Sequence, residues 1–286
     1  MQQNNNYSVL PWYSSLEEQN HRKSYAYGNI YPLYAPRDFL LPFQIVREHG
    51  TATLEDVTCR LVSMSGAEQD ITQQIKDAGL HVYNFAGLNV DVIEYNANLP
   101  MSLNMAQGRY YLILNDGINT YYSEVITAVQ DVQPYLKIEW YDNDNLVFDA
   151  GLIDYEHGYK NVLYLCTELG KPDYTFTEEG EDRDGYFFPE KQLSEKRYRC
   201  TILAPEYLCD VMRFIRMADH VRITDKYGRK YNADTFLITP KWEEQGDLAS
   251  VAIEFQTDTI VKKIGKAVYP HILGDFNNDY NNDYNN

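Results

Sequence analysis

The chain has 286 residues, enough for one large or two ordinary domains, and 44% of them are hydrophobic, enough to bury a sizeable core. Its formal net charge is −17, with the excess acid in both halves; such a field repels phosphate and argues against non-specific nucleic-acid binding. No run approaches the roughly 18 apolar residues of a membrane-spanning helix. Residues 1–6 also lack the basic start and apolar stretch of a secretion signal, so the expected place of synthesis is a cytoplasm.

Tyrosine is the conspicuous residue type, with 26 copies spread along the whole chain. Its stiff apolar ring with a polar tip suits surfaces that become buried against a partner. Residues 1–42 read as an irregular arm in which Pro11, Pro32, Pro36 and Pro42 lie among Trp12, Tyr13, Tyr25, Tyr27, Tyr31 and Tyr34. Prolines at this density oppose a regular ladder. The rings need cover, from the chain's own body or from a neighbour. These six are the candidate partner-binding residues, and Trp12 is the tryptophan expected to meet a partner. Residues 19–23 fit a short helical turn.

A first β domain, sandwich-like, is expected over 43–130. Strand signals run through 41–48, 58–63, 80–85 and 90–95, with 71–78 either a short helix closed by Gly79 or an irregular connection. The clearest signal is 109–126. Tyr110, Leu112 and Leu114 alternate with Arg109, Tyr111 and Ile113, and Asn115-Asp116-Gly117 then offers residues that tolerate positive φ, the mark of a hairpin.

Residues 131–134 read as a linker into a second β-rich domain over 135–268. Leu136, Ile138 and Trp140 face one way and Lys137, Glu139 and Tyr141 the other. Residues 142–145 turn the chain into 146–153, and 162–167 is another strand. Residues 177–185 read as an acidic loop, and 197–203 as an alternating strand. A helix is expected over 205–218: Pro205 fits its start, and Leu208, Val211, Met212 and Ile215 form one apolar stripe. Strands resume at 221–224, 230–238 and 249–257. The end, 274–286, is an Asn/Asp/Tyr repeat expected to be disordered. The predicted fold class is therefore mainly β, two β-sandwich-like domains with one packed helix in the second.

No catalytic, cofactor-binding or metal-ligating constellation emerges. Asp142 and Asp144 begin a calcium-loop spacing, but Leu146 occupies the third ligand position, and a hairpin turn accounts for them better. The acids of 178–184 read as a solvated run, with a divalent ion as the alternative. Six histidines share no ligand spacing, and His157 sits in a turn-like stretch. Cys59, Cys166, Cys200 and Cys209 lack metal spacing and read as reduced core residues. Trp140 belongs to the core by its alternation, and Trp242, beside Pro240, is more open. Carboxylate pairs for glycoside cleavage can always be chosen from 42 acids, so such a choice carries little information.

Five stretches carry a resemblance: Tyr-Tyr-Ser-Glu-Val (121–125), Tyr-Leu-Cys-Thr-Glu-Leu-Gly-Lys-Pro-Asp-Tyr (164–174), Gly-Tyr-Phe-Phe-Pro-Glu-Lys (185–191), Ala-Pro-Glu-Tyr-Leu-Cys-Asp (204–210) and Thr-Pro-Lys-Trp (239–242). Over about half of the chain, 121–265, the sequence resembles virion proteins of tailed bacteriophages and prophages of Bacteroides-type gut bacteria. The resemblance lies in overall texture and brings no catalytic residue with it. It implies a tail, baseplate or connector component that is made in the host cytoplasm and resides in the virion. Other virion proteins and further copies of the chain would be its partners. A carbohydrate-binding module or adhesin, with surface glycans as partner, is the alternative. A hydrolase is a third reading.

Overall fold

Alternation along the chain sets the ladders. Leu136, Ile138 and Trp140 are buried while Lys137, Glu139 and Tyr141 are half-buried, the period of a strand with one covered face. Strands of this kind dominate the structure, a computed structural model that describes residues 8–19, 33–50, 53–99, 103, 105–148, 151–243, 248–257 and 261–264. The protein is mainly β, with several sheets in a sandwich-like arrangement.

The first half contributes β1 (Trp12–Tyr13), β2 (Leu33–Pro36), β3 (Phe43–Glu48), β4 (Thr58–Ser63), β5 (Glu68–Asp70), helix α1 (Thr72–Asp77), β6 (Leu80–Phe85), β7 (Val90–Tyr95), β8 (Gly108–Asn115), β9 (Thr120–Ser123) and β10 (Ile126–Val129). The strand β8 is central to one sheet. On one side it pairs with β4, which β5 extends; on the other it pairs with β9 and β10 in turn. A second sheet has the order β3-β7-β6. The two pack together, with the ring of Trp12 meeting Phe43 edge-on at 4.7 Å between centroids. Buried Arg47 on β3 reaches Asp116 in the β8–β9 turn and Asp91 on β7 at 3.4 Å, so one guanidinium ties both sheets.

The arm is more regular than its prolines suggest. Its strand β1 pairs antiparallel with β9, and β2 pairs parallel with β10. Proline is accommodated by position. Pro36 is the last residue of an edge strand, where a missing N–H interrupts little, and the Pro11 carbonyl just before β1 accepts from the Glu124 N–H at 2.9 Å. A helical turn spans 16–19; residues 20–23 lie outside the described residues. The ambiguous stretch 71–78 is helix α1, closed by Gly79 at φ +106°.

The second half contributes β11 (Leu136–Tyr141), β12 (Leu146–Phe148), β13 (Gly151–Ile153), β14 (Asn161–Leu165), β15 (Asp173–Arg183), β16 (Tyr186–Ala204), helix α2 (Glu206–Ile215), β17 (His220–Thr224), β18 (Lys230–Lys241), β19 (Ala249–Thr257) and β20 (Val261–Ile264). Seven of these strands run in the order β14-β11-β17-β18-β19-β16-β15, and β20 joins alongside β16. The short β12–β13 hairpin stands apart as its own ladder, built on the 142–145 turn. Helix α2 buries Leu208, Val211, Met212 and Ile215, the stripe read from the sequence, together with Tyr207 and Phe214. Phe214 packs with Ile153, Tyr155 and Tyr159, which seats the helix on the region around the small hairpin.

Among the described residues, strands on either side of 131–134 pair only within their own half. The core nevertheless crosses that point, because one buried cluster runs from Val9 through Trp140 to Phe255. Tyr34 tilts onto Tyr135 at 4.7 Å and Phe39 meets Tyr164 at 6.4 Å. Gln44 from β3 pairs with both backbone groups of Asp154, accepting from its N–H at 3.0 Å and donating to its carbonyl at 2.5 Å. Two expectations are corrected. Residues 177–185 are not a loop: β15 runs to Arg183 and turns only at Asp184-Gly185. Of the four cysteines Cys166 is exposed, while Cys59, Cys200 and Cys209 are buried; all four are free thiols.

Candidate interaction surface

The strands β15 and β16 form a long hairpin whose outer part leaves the body of the sheet. Arg183 pairs with Tyr186 across a two-residue turn, and both turn residues, Asp184 at φ +53° and Gly185 at φ +83°, take the left-handed conformation that this tight turn requires. Eleven residues in β15 span about 36 Å at strand rise. The neighbour β19 supports β16 only from Arg197 to Ala204, and β20 pairs with it from Lys191 to Ser194. The register shifts once, between Glu179 and Gly180, where Glu179 pairs with Lys191 but Gly180 pairs with Pro189. Glu190 is the extra residue of this bulge, which raises the local twist.

The root of β16 alternates cleanly: Tyr198, Cys200 and Ile202 are buried and Arg199, Thr201 and Leu203 are exposed. Beyond the root the alternation is lost because there is no core to face. Tyr174, Phe176, Tyr186, Phe187 and Phe188 are exposed to 57%, 73%, 72%, 47% and 51%. Residues paired across an antiparallel ladder share a face. The register therefore puts Tyr174, Phe176 and Phe187 on one face of the hairpin and Tyr186 and Phe188 on the other. Rings on both faces cannot be covered together by folding the hairpin onto its own sheet. Lys196 stands over the Tyr174 ring at 5.7 Å.

The hairpin is also acidic, with eight acids against three bases over 173–196. Glu179 accepts from Lys191 at 3.0 Å and Glu178 from the Gln192 amide at 2.6 Å. Such exposed pairs contribute only about 0–1 kcal/mol each. At the root, Arg199 is shared between Glu254 at 2.7 Å and Asp173 at 3.3 Å. The base at this position is therefore already engaged within the sheet.

The residues singled out in the arm fall elsewhere. Trp12 and Tyr13 are buried in the chain's own body, and the Tyr13 hydroxyl donates to Glu124 at 3.0 Å. Tyr34 is half-buried and packs on Tyr135. Tyr25, Tyr27 and Tyr31 lie outside the described residues, as does the 274–286 repeat. Trp140 is in the core, and Trp242, just after β18, is 44% exposed. The Asp142–Asp144 pair is an Asx-type turn in which the Asp144 N–H donates to Asp142 Oδ1 at 3.1 Å. Among the described residues, no three His, Cys, Asp or Glu side chains gather as a metal would require. The missed feature is the hairpin. Its signals were Asp184-Gly185 and the alternation of Tyr174 and Phe176 with Thr175 and Thr177.

A second polar cluster sits inside, at the junction of the two halves. Glu94 on β7 and Asp154 after β13 are both fully buried. Glu94 Oε2 accepts from Gln44 at 2.6 Å and from the Tyr83 hydroxyl at 3.1 Å, while Asp154 Oδ1 accepts from the Glu156 N–H at 2.9 Å. The His157 ring lies tilted against Tyr83 at 4.1 Å between centroids, with its Nδ1 at 3.8 Å from Asp154 Oδ2. Burial raises the Glu94 carboxyl above its usual range; hydrogen bonds from Gln44 and Tyr83 oppose that, and the Asp154 charge adds to it. Through Gln44, which donates to Glu94 at 2.6 Å and to the Asp154 carbonyl at 2.5 Å, the arrangement joins the two halves. The buried thiols are inert, since burial pushes Cys59 and Cys200 up to about 12 and Cys209 to about 11.

Compared with protein-family models, curated proteins and solved structures, the chain matches none of them.

Proposed function

We propose that this protein is a structural subunit of a bacteriophage tail, baseplate or connector assembly and acts through protein–protein contacts with other virion proteins and further copies of itself. One observation supports this most: a projecting hairpin with exposed aromatic rings on both faces. Exposed apolar side chains gathered on one element mark interaction sites, and aromatic side chains are enriched among the anchors of interfaces. Insertion between neighbouring subunits would cover both faces at once, whereas a flat docking surface would cover one. The stretches that resemble phage virion proteins include residues 185–191, which begin with the turn glycine and run up the β16 arm of this hairpin. Many equivalent copies would convert modest contacts into a stable particle.

The experiment replaces Phe176, Tyr186, Phe187 and Phe188 by serine in the full chain. It then follows incorporation into particles formed with the other virion proteins. The expected result is a normally folded chain, by circular dichroism, that is lost from the particles. Incorporation at the parent level would overturn the reading.

A further inference from the structure

Resting on that reading, we propose that the outer edge of β15 is a docking edge for an extended, lysine- or arginine-bearing segment of another protein, which adds a strand to the large sheet. The two ends of this sheet differ. At one end β14 is buried along its whole length and lies beside β2. At the other end is β15, eleven residues without a proline and with no strand on its outer side among the described residues. A strand of this length presents a row of backbone donors and acceptors that another chain can complete.

Charge decides which chain. Glu178, Glu179 and Asp182 lie along β15, within a hairpin carrying eight acids and three bases. A second copy pairing through the same edge would set like charges opposite one another, which destabilises a ladder. The same residues admit a basic strand, whose lysines would stand opposite Glu178 and Asp182. These two share a face with Tyr174 and Phe176, so aliphatic residues of the incoming strand would find rings beside them. The acids thus select the partner of this edge and oppose β15-to-β15 pairing between copies, which leaves contacts between copies to other surfaces.

The test uses the full chain and a synthetic peptide as long as β15 that alternates lysine with threonine and valine. Hydrogen exchange of the β15 amides is followed with and without it, at low salt. Three comparisons are made: the peptide with glutamate for lysine, the peptide with alternate backbone nitrogens methylated, and the Glu178→Lys/Asp182→Lys protein. The lysine peptide should slow β15 exchange, the two altered peptides should not, and the double variant should bind the lysine peptide about tenfold more weakly. Absence of β15 protection, or equal binding by the methylated peptide, overturns strand addition. If the serine replacements at the rings abolish incorporation while the lysine peptide leaves β15 unprotected, the hairpin docks by its faces: this inference falls and the structural role stands.

Discussion

Gly180 lies against the backbone of Phe188 and Pro189 with no space for a side chain: an ideal Cβ would stand 2.8 Å from the Pro189 Cα. The contact is made at the bulge, where the hairpin changes register. Alanine at this position must push the two strands apart, at a cost of about 1–3 kcal/mol. The loss should be local. We expect Gly180→Ala to speed amide exchange in 180–190 while leaving the main thermal transition where it was. A large fall in the main transition would mean that the outer hairpin and the body unfold together.

Trp12 tests where the arm belongs. It is 2% exposed and rests edge-on against Phe43. Trp12→Ala should destabilise the isolated chain by about 3–5 kcal/mol, measured by urea unfolding. An unchanged midpoint would return Trp12 to the role expected from the sequence, that of a ring waiting for a partner.

Arg47 makes a buried electrostatic tie, reaching Asp116 and, at 3.4 Å, Asp91. The Asp91 carboxyl is buried, which alone would raise it, but hydrogen bonds from His49, the Gly50 N–H and Asn84 outweigh burial and hold it below its usual range. Arg47→Met leaves two buried carboxylates without their cation and should cost about 3–5 kcal/mol. Replacing Arg47 and Asp116 together by apolar residues should recover part of that loss in a double-mutant cycle.

Glu94 predicts an unusual pH dependence. A carboxyl raised in the folded state stabilises the fold fully below its unfolded value, and that contribution is lost as pH rises through the folded value. Stability should therefore decline on the alkaline side of ordinary carboxylate titration. Glu94→Gln should flatten this decline and raise the melting temperature at neutral pH relative to the parent. A parent and variant with parallel pH profiles would show that the Glu94 proton is not linked to folding.

The rings of the hairpin make the opposite stability prediction from Trp12. Phe176 is 73% exposed, so Phe176→Ser should change the unfolding free energy by no more than about 0.5 kcal/mol. A larger loss would mean that the ring is covered within the monomer.

Local periodicity was enough to read several elements from the sequence alone. The alternation of Leu136, Ile138 and Trp140, the Asn115-Asp116-Gly117 turn and the apolar stripe of α2 each depend on residues within one turn or one strand, and each stands as the pattern implies. The mainly β class follows from the same short-range rule. Partners distant in the chain obey no such rule. That Tyr13 would find Glu124, or Gln44 would find Asp154, depends on which sheets meet, and no spacing encodes it. The hairpin stood between these cases. Its acids spell a solvated loop when charge alone is weighed, while Asp184-Gly185 and the flanking rings spell a turn between strands. Tertiary structure decided between them: β19 and β20 hold β16 in line, so the acidic stretch is drawn out as a ladder and its rings are left facing outward.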